Sequence, residues 1–161
     1  MAFQATDLIG AQLNDVDTSA KFQLGTTCKG IDPVTGLGEF IYLGGGASVA
    51  AGLFVTYNPS TLLVTVNPVT GGLGPVAVAL AAVIANTFGW FQIGGTAIVQ
   101  TPDPVVAGAD VYSDAVVAGA VDDAAVANEQ IAGAAFASAN GTPAAGFAYC
   151  RLSRPTHFKM S

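Results

Sequence analysis

The sequence contains the stretch FIYLGG at residues 40–45, and 50 residues later it contains the similar stretch WFQIGG at residues 90–95. An Ala-Gly turn and a further apolar run follow each copy, over residues 49–55 and 105–111, and the second copy has six additional residues before its turn. Aromatic and branched residues before paired glycines indicate a strand that ends in a bend. We therefore predict two related β units that pack as a single β-sandwich or barrel-like domain.

The rest of the chain has the same character, because Gly and Pro interrupt short runs rich in Val, Ile, Thr, Phe and Tyr. This pattern is typical of an all-β domain. The predicted strands are residues 21–24, 39–43, 53–57, 62–66, 76–82, 90–93, 97–100, 110–112, 131–138 and 146–152.

Large and small apolar residues alternate where Val76, Val78 and Leu80 are interleaved with alanines. A period of two predicts a strand whose large side chains face a core while its Ala face lies close under a neighbouring layer. Because Ala is the best helix former, a short buried helix is the alternative. The preceding Pro75 and the period of two favour the strand.

The two ends of the chain differ from the middle. Residues 1–20 contain Phe3, Leu8, Ile9 and Leu13 without a helical or strand period, which predicts an extended N-terminal arm before a β domain over residues 21–155. An arm this short is ordered only along another surface, its own or a neighbour's. Residues 156–161 are predicted to be a tail. The interface residues that we predict are these four apolar anchors together with Arg151, Arg154 and Lys159; the alternative is that both ends are ordinary solvated termini.

The composition excludes some partners. Charged residues are 10% of the chain, where about 25% is usual, and the formal net charge is -6. Nucleic-acid binding needs clustered Lys and Arg, so no nucleic-acid partner is predicted. The most apolar stretch is too short to cross a bilayer, and the N-terminus lacks a secretory signal, so we expect no membrane span and folding in the cytoplasm. A nearly uncharged surface favours assembly with other subunits.

The residues that catalysis would need are poorly placed in the sequence. Cys28 and Cys150 match no metal or redox spacing and are predicted to be buried or free thiols, and the lone His157 lies where chains usually fray. Asp122 and Asp123 are predicted to be a solvated turn rather than an acid/base pair. The glycine-rich stretches lack a phosphate-binding signature. We predict neither an enzyme nor a cofactor.

Two binding alternatives stay open at this point. Loops between residues 103 and 123 supply carboxylates for a structural calcium ion, although their spacing matches no known calcium loop; the acids are Asp103, Asp110, Asp114, Asp122 and Asp123. Exposed aromatics could stack on sugars, but aromatics in apolar strands are usually core; the candidates are Tyr42, Tyr57, Trp90, Phe91 and Tyr112.

Several short runs resemble small virion proteins of tailed bacteriophages, in particular the capsid decoration, or cement, proteins. The runs that carry this resemblance are LGT at 24–26, GEFIYL at 38–43, VAVA at 76–79, FGWFQIGG at 88–95, GTP at 141–143, GFA at 146–148 and RLSRP at 151–155. The Ala-Gly-x-x-Val turns, such as residues 51–55 and 107–111, are similar to those of the same proteins.

The resemblance implies a β-rich subunit that coats the capsid exterior in many copies, as trimers or dimers, and clamps neighbouring capsomers. Its partners would be the major capsid protein and copies of itself, and it brings no catalytic residues. The alternative function is a carbohydrate-binding or adhesive β-sandwich module of a phage fibre or surface protein.

Overall fold

The computed structural model describes residues 3–157, which form twelve β-strands and no helix. It follows that these residues include no helix that could cross a membrane. The predicted all-β class is confirmed. The strands are β1 (Gln4–Ala5), β2 (Val16–Asp17), β3 (Thr27–Asp32), β4 (Gly36–Gly45), β5 (Phe54–Tyr57), β6 (Leu63–Val66), β7 (Val76–Ala79), β8 (Phe88–Gln100), β9 (Asp110–Ser113), β10 (Val121–Asp122), β11 (Gln130–Phe136) and β12 (Phe147–His157).

Five strands close on themselves into a small barrel. Strand β4 pairs in parallel with β6, and antiparallel pairs β6–β5, β5–β7, β7–β8 and β8–β4 complete the ring. One face of each strand is apolar, and these side chains form a single buried cluster that includes Ile41, Leu43, Val55, Val64 and Phe91. Closure leaves these five strands without a free edge along the ring, which removes the hazard of unpaired backbone groups.

The second half of the chain repeats this connectivity. In the first unit, β5 pairs with β6 and β7, β7 pairs with β8, and β8 pairs with β4. In the second unit, β9 pairs with β10 and β11, β11 pairs with β12, and β12 pairs with β8. Strands β9, β10, β11, β12 and β8 of the second unit thus correspond to β5, β6, β7, β8 and β4 of the first. Strand β8 is 13 residues long and belongs to both units. The two copies of the repeated stretch lie side by side, with Ile41 opposite Phe91 and Tyr42 opposite Trp90. This shared topology supports the predicted pair of related units.

Strand β7 lies in the wall between the two units and is buried on both faces. Val76 and Val78 pack in the core of the second unit, whereas Ala77 and Ala79 pack in the first barrel. The predicted strand with two different buried faces is confirmed, and the helix alternative is wrong. Leu80 does not continue the pattern, because β7 ends at Ala79 and Leu80 packs half-buried against a third apolar cluster.

A repeated four-residue turn sets the start of most strands in the two units. In the turn before β5, the N–H of Leu53 donates to Ala50 across Gly52, whose φ is +83°; before β8 the N–H of Thr87 donates to Ile84 across Asn86, at +63°. Gly and Asn adopt positive φ at low cost, which this type of turn requires at its third position. The same Ala-Gly or Ala-Asn turn precedes β9, β10, β11 and β12, with Gly108, Gly119, Asn128 and Gly146 at the third position.

The segment from Phe3 to Asp17 is part of the domain. Strand β1 pairs with β3 and β2 pairs with β8, and the ring of Phe3 contacts the ring of Phe40 edge-on at a centroid distance of 4.8 Å. The segment thus covers the outer face of the β4–β8 pair. Periodicity could not reveal this, because β1 and β2 are only two residues long.

Two further boundaries differ from the prediction. Residues 21–24 are not a strand, and the strand in this region is β3, which begins at Thr27. Strand β12 extends to His157, so residues 156 and 157 are not a tail but pair with β11. The N–H of His157 also donates to the carbonyl of Gly74, which holds this end of β12 beside the loop that precedes β7.

Candidate functional site

The arginines predicted to form an interface lie on one exposed surface, the outer side of β12 and the adjoining β3–β4 hairpin. We call this surface the β12 face and define it by Lys29, Val34, Leu37, Arg151 and Arg154. A trough of 340 Å³ runs through it, with Lys29, Leu37 and Arg154 on its walls. A smaller depression of 190 Å³ lies between the hairpin tip and β12, beside Val34 and Arg151.

Glycines create the floor of the trough. Gly38, Gly94 and Gly95 line it, and the register places Gly38 opposite Gly95 and Glu39 opposite Gly94. A Cβ at Gly95 would lie 2.1 Å from the carbonyl oxygen of Leu37, so the close approach of β4 and β8 requires glycine there. With no side chains on the floor, the long side chains of neighbouring strands form raised walls.

The β12 face concentrates the positive charge of the protein. No Lys or Arg occurs between residues 30 and 150, and of the four cations among residues 3–157, three lie on this face. Arg154 forms an ion pair with Glu39, which also lines the trough. Within the described chain, no carboxylate lies at ion-pair distance from Arg151 or Lys29. Two cations on this face are therefore available to an acidic partner.

Apolar side chains are exposed on the same face. Val34 is 79% exposed and Leu37 is 67% exposed, and Ile31, opposite Leu37 in the hairpin, is 45% exposed. Alternation along β3 explains this, because Cys28 and Gly30 point inward while Lys29 and Ile31 point outward. No strand was predicted over residues 25–38. The sequence alone therefore did not single out these hairpin residues.

The predicted apolar anchors divide into two groups. Phe3 and Leu13 are buried in the chain's own core, and Leu8 packs against the same cluster. Phe3 and Leu13 cannot anchor the protein to a neighbour, because their side chains are already enclosed in this cluster, whereas Leu8 keeps part of its surface exposed. Ile9 is fully exposed and remains available. Lys159 lies outside the described residues.

Among the acidic loop residues, the structure brings three carboxylates together. Oxygens of Asp103, Asp114 and Asp122 lie within 4.8 Å of one another, whereas Asp110 and Asp123 are not in the group. Burial raises the pKa of Asp122, and the neighbouring carboxylates add to the effect. Three such oxygens are ligands that Ca²⁺ accepts.

Asp114 and Asp122 already accept hydrogen bonds from backbone N–H groups two or three residues further along the chain. Asp114 accepts the N–H groups of Val116 and Val117, and Asp122 accepts that of Ala124 at 2.9 Å. Asp123 accepts the N–H of Val106. Asp122 and Asp123 were predicted to be a solvated turn, but Asp122 is the last residue of β10 and is only 8% exposed, so the prediction is wrong for Asp122; Asp123 follows the strand at a bend.

Both cysteines and the only histidine of the chain are enclosed. Both cysteines are buried free thiols, as predicted, and burial raises the pKa of each to about 12. Both thiols therefore stay protonated at neutral pH. His157 was predicted to fray but is fully buried, and its partner is Asn67 rather than a cysteine.

A buried polar network, which no sequence pattern indicated, joins the two units. His157 Nε2 lies 2.5 Å from Asn67 Oδ1, and the Asn67 amide donates to Ser113 Oγ at 2.9 Å. The backbone of Asn67 bonds to Phe54 in the first unit and to Gly119 in the second. His157 Nδ1 and Glu129 Oε2 are buried without a hydrogen-bond partner.

The buried histidine predicts a pH-dependent stability. Burial lowers the pKa of His157 below 6.5, although Glu129 acts in the opposite direction. Because the pKa of His157 is lower in the folded protein than in the unfolded chain, the unfolded chain binds a proton first as the pH falls. The stability that the neutral histidine contributes above pH 6.5 is therefore lost as the pH falls from 6.5 towards the pKa of the folded protein. The free energy of unfolding should therefore decrease below pH 6.5, with a slope of up to about 1.4 kcal/mol per pH unit.

Urea unfolding between pH 8 and pH 5 measures this effect. His157→Gln keeps an N–H donor for Asn67 but cannot titrate, so its stability should change less over the same range. Equal pH slopes for the two proteins would show that His157 does not control acid stability.

No protein-family model matches this chain, and no curated protein matches it. Its function must therefore be inferred from the surfaces described above. Of these surfaces, the β12 face combines unpaired cations, exposed aliphatic side chains and a glycine-floored trough. It is the strongest candidate for a macromolecular contact.

Proposed function

We propose that this chain is a virion structural protein that binds the outside of a capsid shell and stabilises contacts between capsomers. It does so as a trimer or dimer, in many copies per particle, with the major capsid protein as its partner. The observation that carries the proposal is the β12 face, where Lys29, Arg151, Val34 and Leu37 are exposed together on an otherwise acidic chain.

The composition of the exposed surface supports a protein that assembles with other subunits. Among residues 3–157, twelve large aliphatic side chains are at least 37% exposed, while charged residues make up only 10% of the whole chain. Single exposed aliphatic side chains are common on protein surfaces. A surface with so few charges, however, has little electrostatic repulsion to keep copies of the protein apart. Contacts with a shell or with sister subunits would cover this surface.

The binding free energy of such a protein would come from many weak contacts. Exposed ion pairs contribute only about 0 to 1 kcal/mol each, and salt weakens them. Apolar burial contributes roughly 25 cal/mol per Å², so the valine and leucine of the hairpin supply more of the affinity than the charges do. Copies linked on a common lattice bind more tightly than one copy alone, because each attached neighbour raises the effective concentration of the next.

The proposal predicts that particles lacking this protein assemble but release their genome at a lower temperature than complete particles. The reason is that each bound copy adds contact energy between capsomers that assembly itself does not need. Heating both particle types at equal genome length, with DNA release as the readout, measures the effect. A stripped particle as heat-stable as the complete one would exclude a cement function.

The attachment surface has its own test within this experiment. Leu37→Ser combined with Arg151→Ser should reduce occupancy on stripped capsids, because both residues are exposed on the β12 face. Val116→Ser is the matched control, since Val116 is 84% exposed but lies in the turn capped by Asp114. Full occupancy by the double variant would place the contact elsewhere on the molecule.

A further inference from the structure

The trough of the β12 face coincides with a gap in one row of residues across the sheet. The strand register places Lys29, Glu39, Gly94 and Ser153 in this row, on β3, β4, β8 and β12. Because Gly94 has no side chain, the row is open between Glu39 and Ser153, and all four residues line the trough. The two strands that bound the opening are two strand spacings apart, about 9–10 Å, which is wide enough for one extended segment of another chain.

Strand β12 is irregular where Arg154 lies beside the trough. One residue of β11, Gly133, lies opposite three residues of β12, 153–155, so β12 bulges there. Arg154 has a φ of +44°, a conformation that is uncommon for a residue with a side chain. Bulges and unusual backbone conformations often re-aim a side chain at a functional site. Here the Arg154 guanidinium extends across β8 and pairs with Glu39 on β4.

The ion pair between Arg154 and Glu39 is open to solvent. The Arg154 side chain is 67% exposed, and the Glu39 side chain is 30% exposed. An exposed pair contributes little to the stability of a fold, and salt weakens it. A carboxylate from another molecule could therefore replace Glu39 on Arg154 without unfolding the strands that carry the two residues.

The charges and the shape of the trough select its ligand. A basic segment would be repelled by Lys29 and Arg154 on the walls, and a purely apolar segment would desolvate both cations without pairing them. An acidic side chain can pair with either cation, and Leu37, which is 67% exposed on the wall, offers an aliphatic contact beside them. In an extended segment, residues two positions apart lie on the same face, so acidic side chains at that spacing can reach both walls.

We propose that the trough binds an extended segment of the partner protein through an Asp or Glu side chain that displaces Glu39 from Arg154. Glu39 is an internal competitor: it holds the Arg154 side chain in place before binding, and it lowers the affinity for the partner's carboxylate. This inference rests on the proposed capsid attachment for the identity of the partner, and it names the chemistry that the shell protein would present.

The first test uses the full chain and two short capped peptides that differ only in carrying two Glu or two Gln residues on either side of one Val. Fluorescence anisotropy at low salt measures binding. The Glu peptide should bind about fivefold more tightly than the Gln peptide, and the difference should decrease as the salt concentration rises. Equal binding of the two peptides, or no binding at millimolar concentration, would overturn the proposal.

Glu39→Gln tests the role of the competitor, because it removes the carboxylate and keeps the size of the side chain. It should tighten binding of the Glu peptide by about two- to fivefold, the range expected when one exposed ion pair no longer has to be broken. Asp110→Asn is the matched control, since it changes the net charge equally at an exposed residue that does not line the trough. Equal gains in the two variants would mean that net charge alone is responsible, and the competitor role would be wrong.

Arg154→Asn tests the cation that receives the carboxylate. Asn tolerates a positive φ better than most residues do, so this variant should fold, and circular dichroism checks that it does. It should weaken binding of the Glu peptide by about fivefold and leave binding of the Gln peptide unchanged. Lys29→Gln, on the opposite wall, provides the same comparison if Arg154→Asn does not fold. Unchanged binding of the Glu peptide by the folded variant would place its carboxylates elsewhere.

Capsid occupancy separates this inference from the attachment function. Glu39→Gln should reach half-occupancy of stripped capsids at a lower protein concentration than the unmodified chain. If it does not, while Leu37→Ser with Arg151→Ser still reduces occupancy, attachment through the β12 face stands and the competitor role is wrong. If both peptides behave as expected but no substitution on the β12 face changes occupancy, the trough binds acidic segments and the capsid function is wrong.

Discussion

Phe54→Ala is expected to lower the free energy of unfolding by about 3–5 kcal/mol, the cost of removing a large buried aromatic side chain. Phe54 is fully buried and packs in the core of the second unit, although it lies on β5 of the first barrel. Its backbone also bonds to Gly119 and Asn67. The cavity would open in the wall that both units share, so one cooperative transition should shift as a whole in urea unfolding.

Leu80→Ala provides the comparison. From its alternation with Val76 and Val78 alone, Leu80 was predicted to be a core residue, with a truncation cost of about 2–5 kcal/mol. In the structure Leu80 lies beyond the end of β7 and is only half-buried, so we expect less than half the effect of Phe54→Ala. If Leu80→Ala were the more damaging change, the assignment of the shared wall to β5 and β7 would be wrong.

Gly95→Ala is expected to cost at least about 3 kcal/mol. Gly95 has a φ of +84°, where a residue with a side chain loses roughly 1–2 kcal/mol. The added methyl would also lie 2.1 Å from the Leu37 carbonyl oxygen and 3.0 Å from the Gly38 Cα, both backbone atoms that cannot rotate away. Relief of this clash would require β4 and β8 to separate where they close the barrel.

Gly36→Ala is the matched control for backbone strain. Gly36 has nearly the same φ, +81°, but no atom lies within 4 Å of the position of its added Cβ. It should therefore cost only the conformational penalty of about 1–2 kcal/mol. Thermal or urea unfolding of the two variants measures the difference. Equal destabilisation would mean that strain alone accounts for Gly95 and that the close strand approach contributes nothing.

Local patterns predicted the strands well where a strand was long enough to show its period. Strands β5, β6, β7 and β11 lie where the sequence placed them within a few residues. Residues 90–93 and 97–100 were predicted as separate strands but form the single strand β8, because Gly94 and Gly95 bend it without breaking its pairing. Strand β3 was missed because Lys29 and Gly30 interrupt its apolar pattern.

The candidate site was predictable only in part. Arg151 and Arg154 were singled out because positive charge gathers near the C-terminus. Lys29, Val34 and Leu37 join them only through the β3–β4–β8–β12 pairing, which brings residues more than 100 positions apart onto one face.

Composition and short-range pattern determined the all-β class, the turns at Ala-Gly and Ala-Asn, and the two-sided strand at β7, because each depends on neighbours within a few residues. Tertiary structure alone decided that Phe3 and Leu13 cover their own domain, that His157 is enclosed with Asn67, and that the two repeats share β8. These outcomes depend on which distant surfaces meet. Burial free energy is not directional, so the same apolar side chain is stabilised equally against its own sheet or against a neighbour, and only the closed set of strand pairings selects between them.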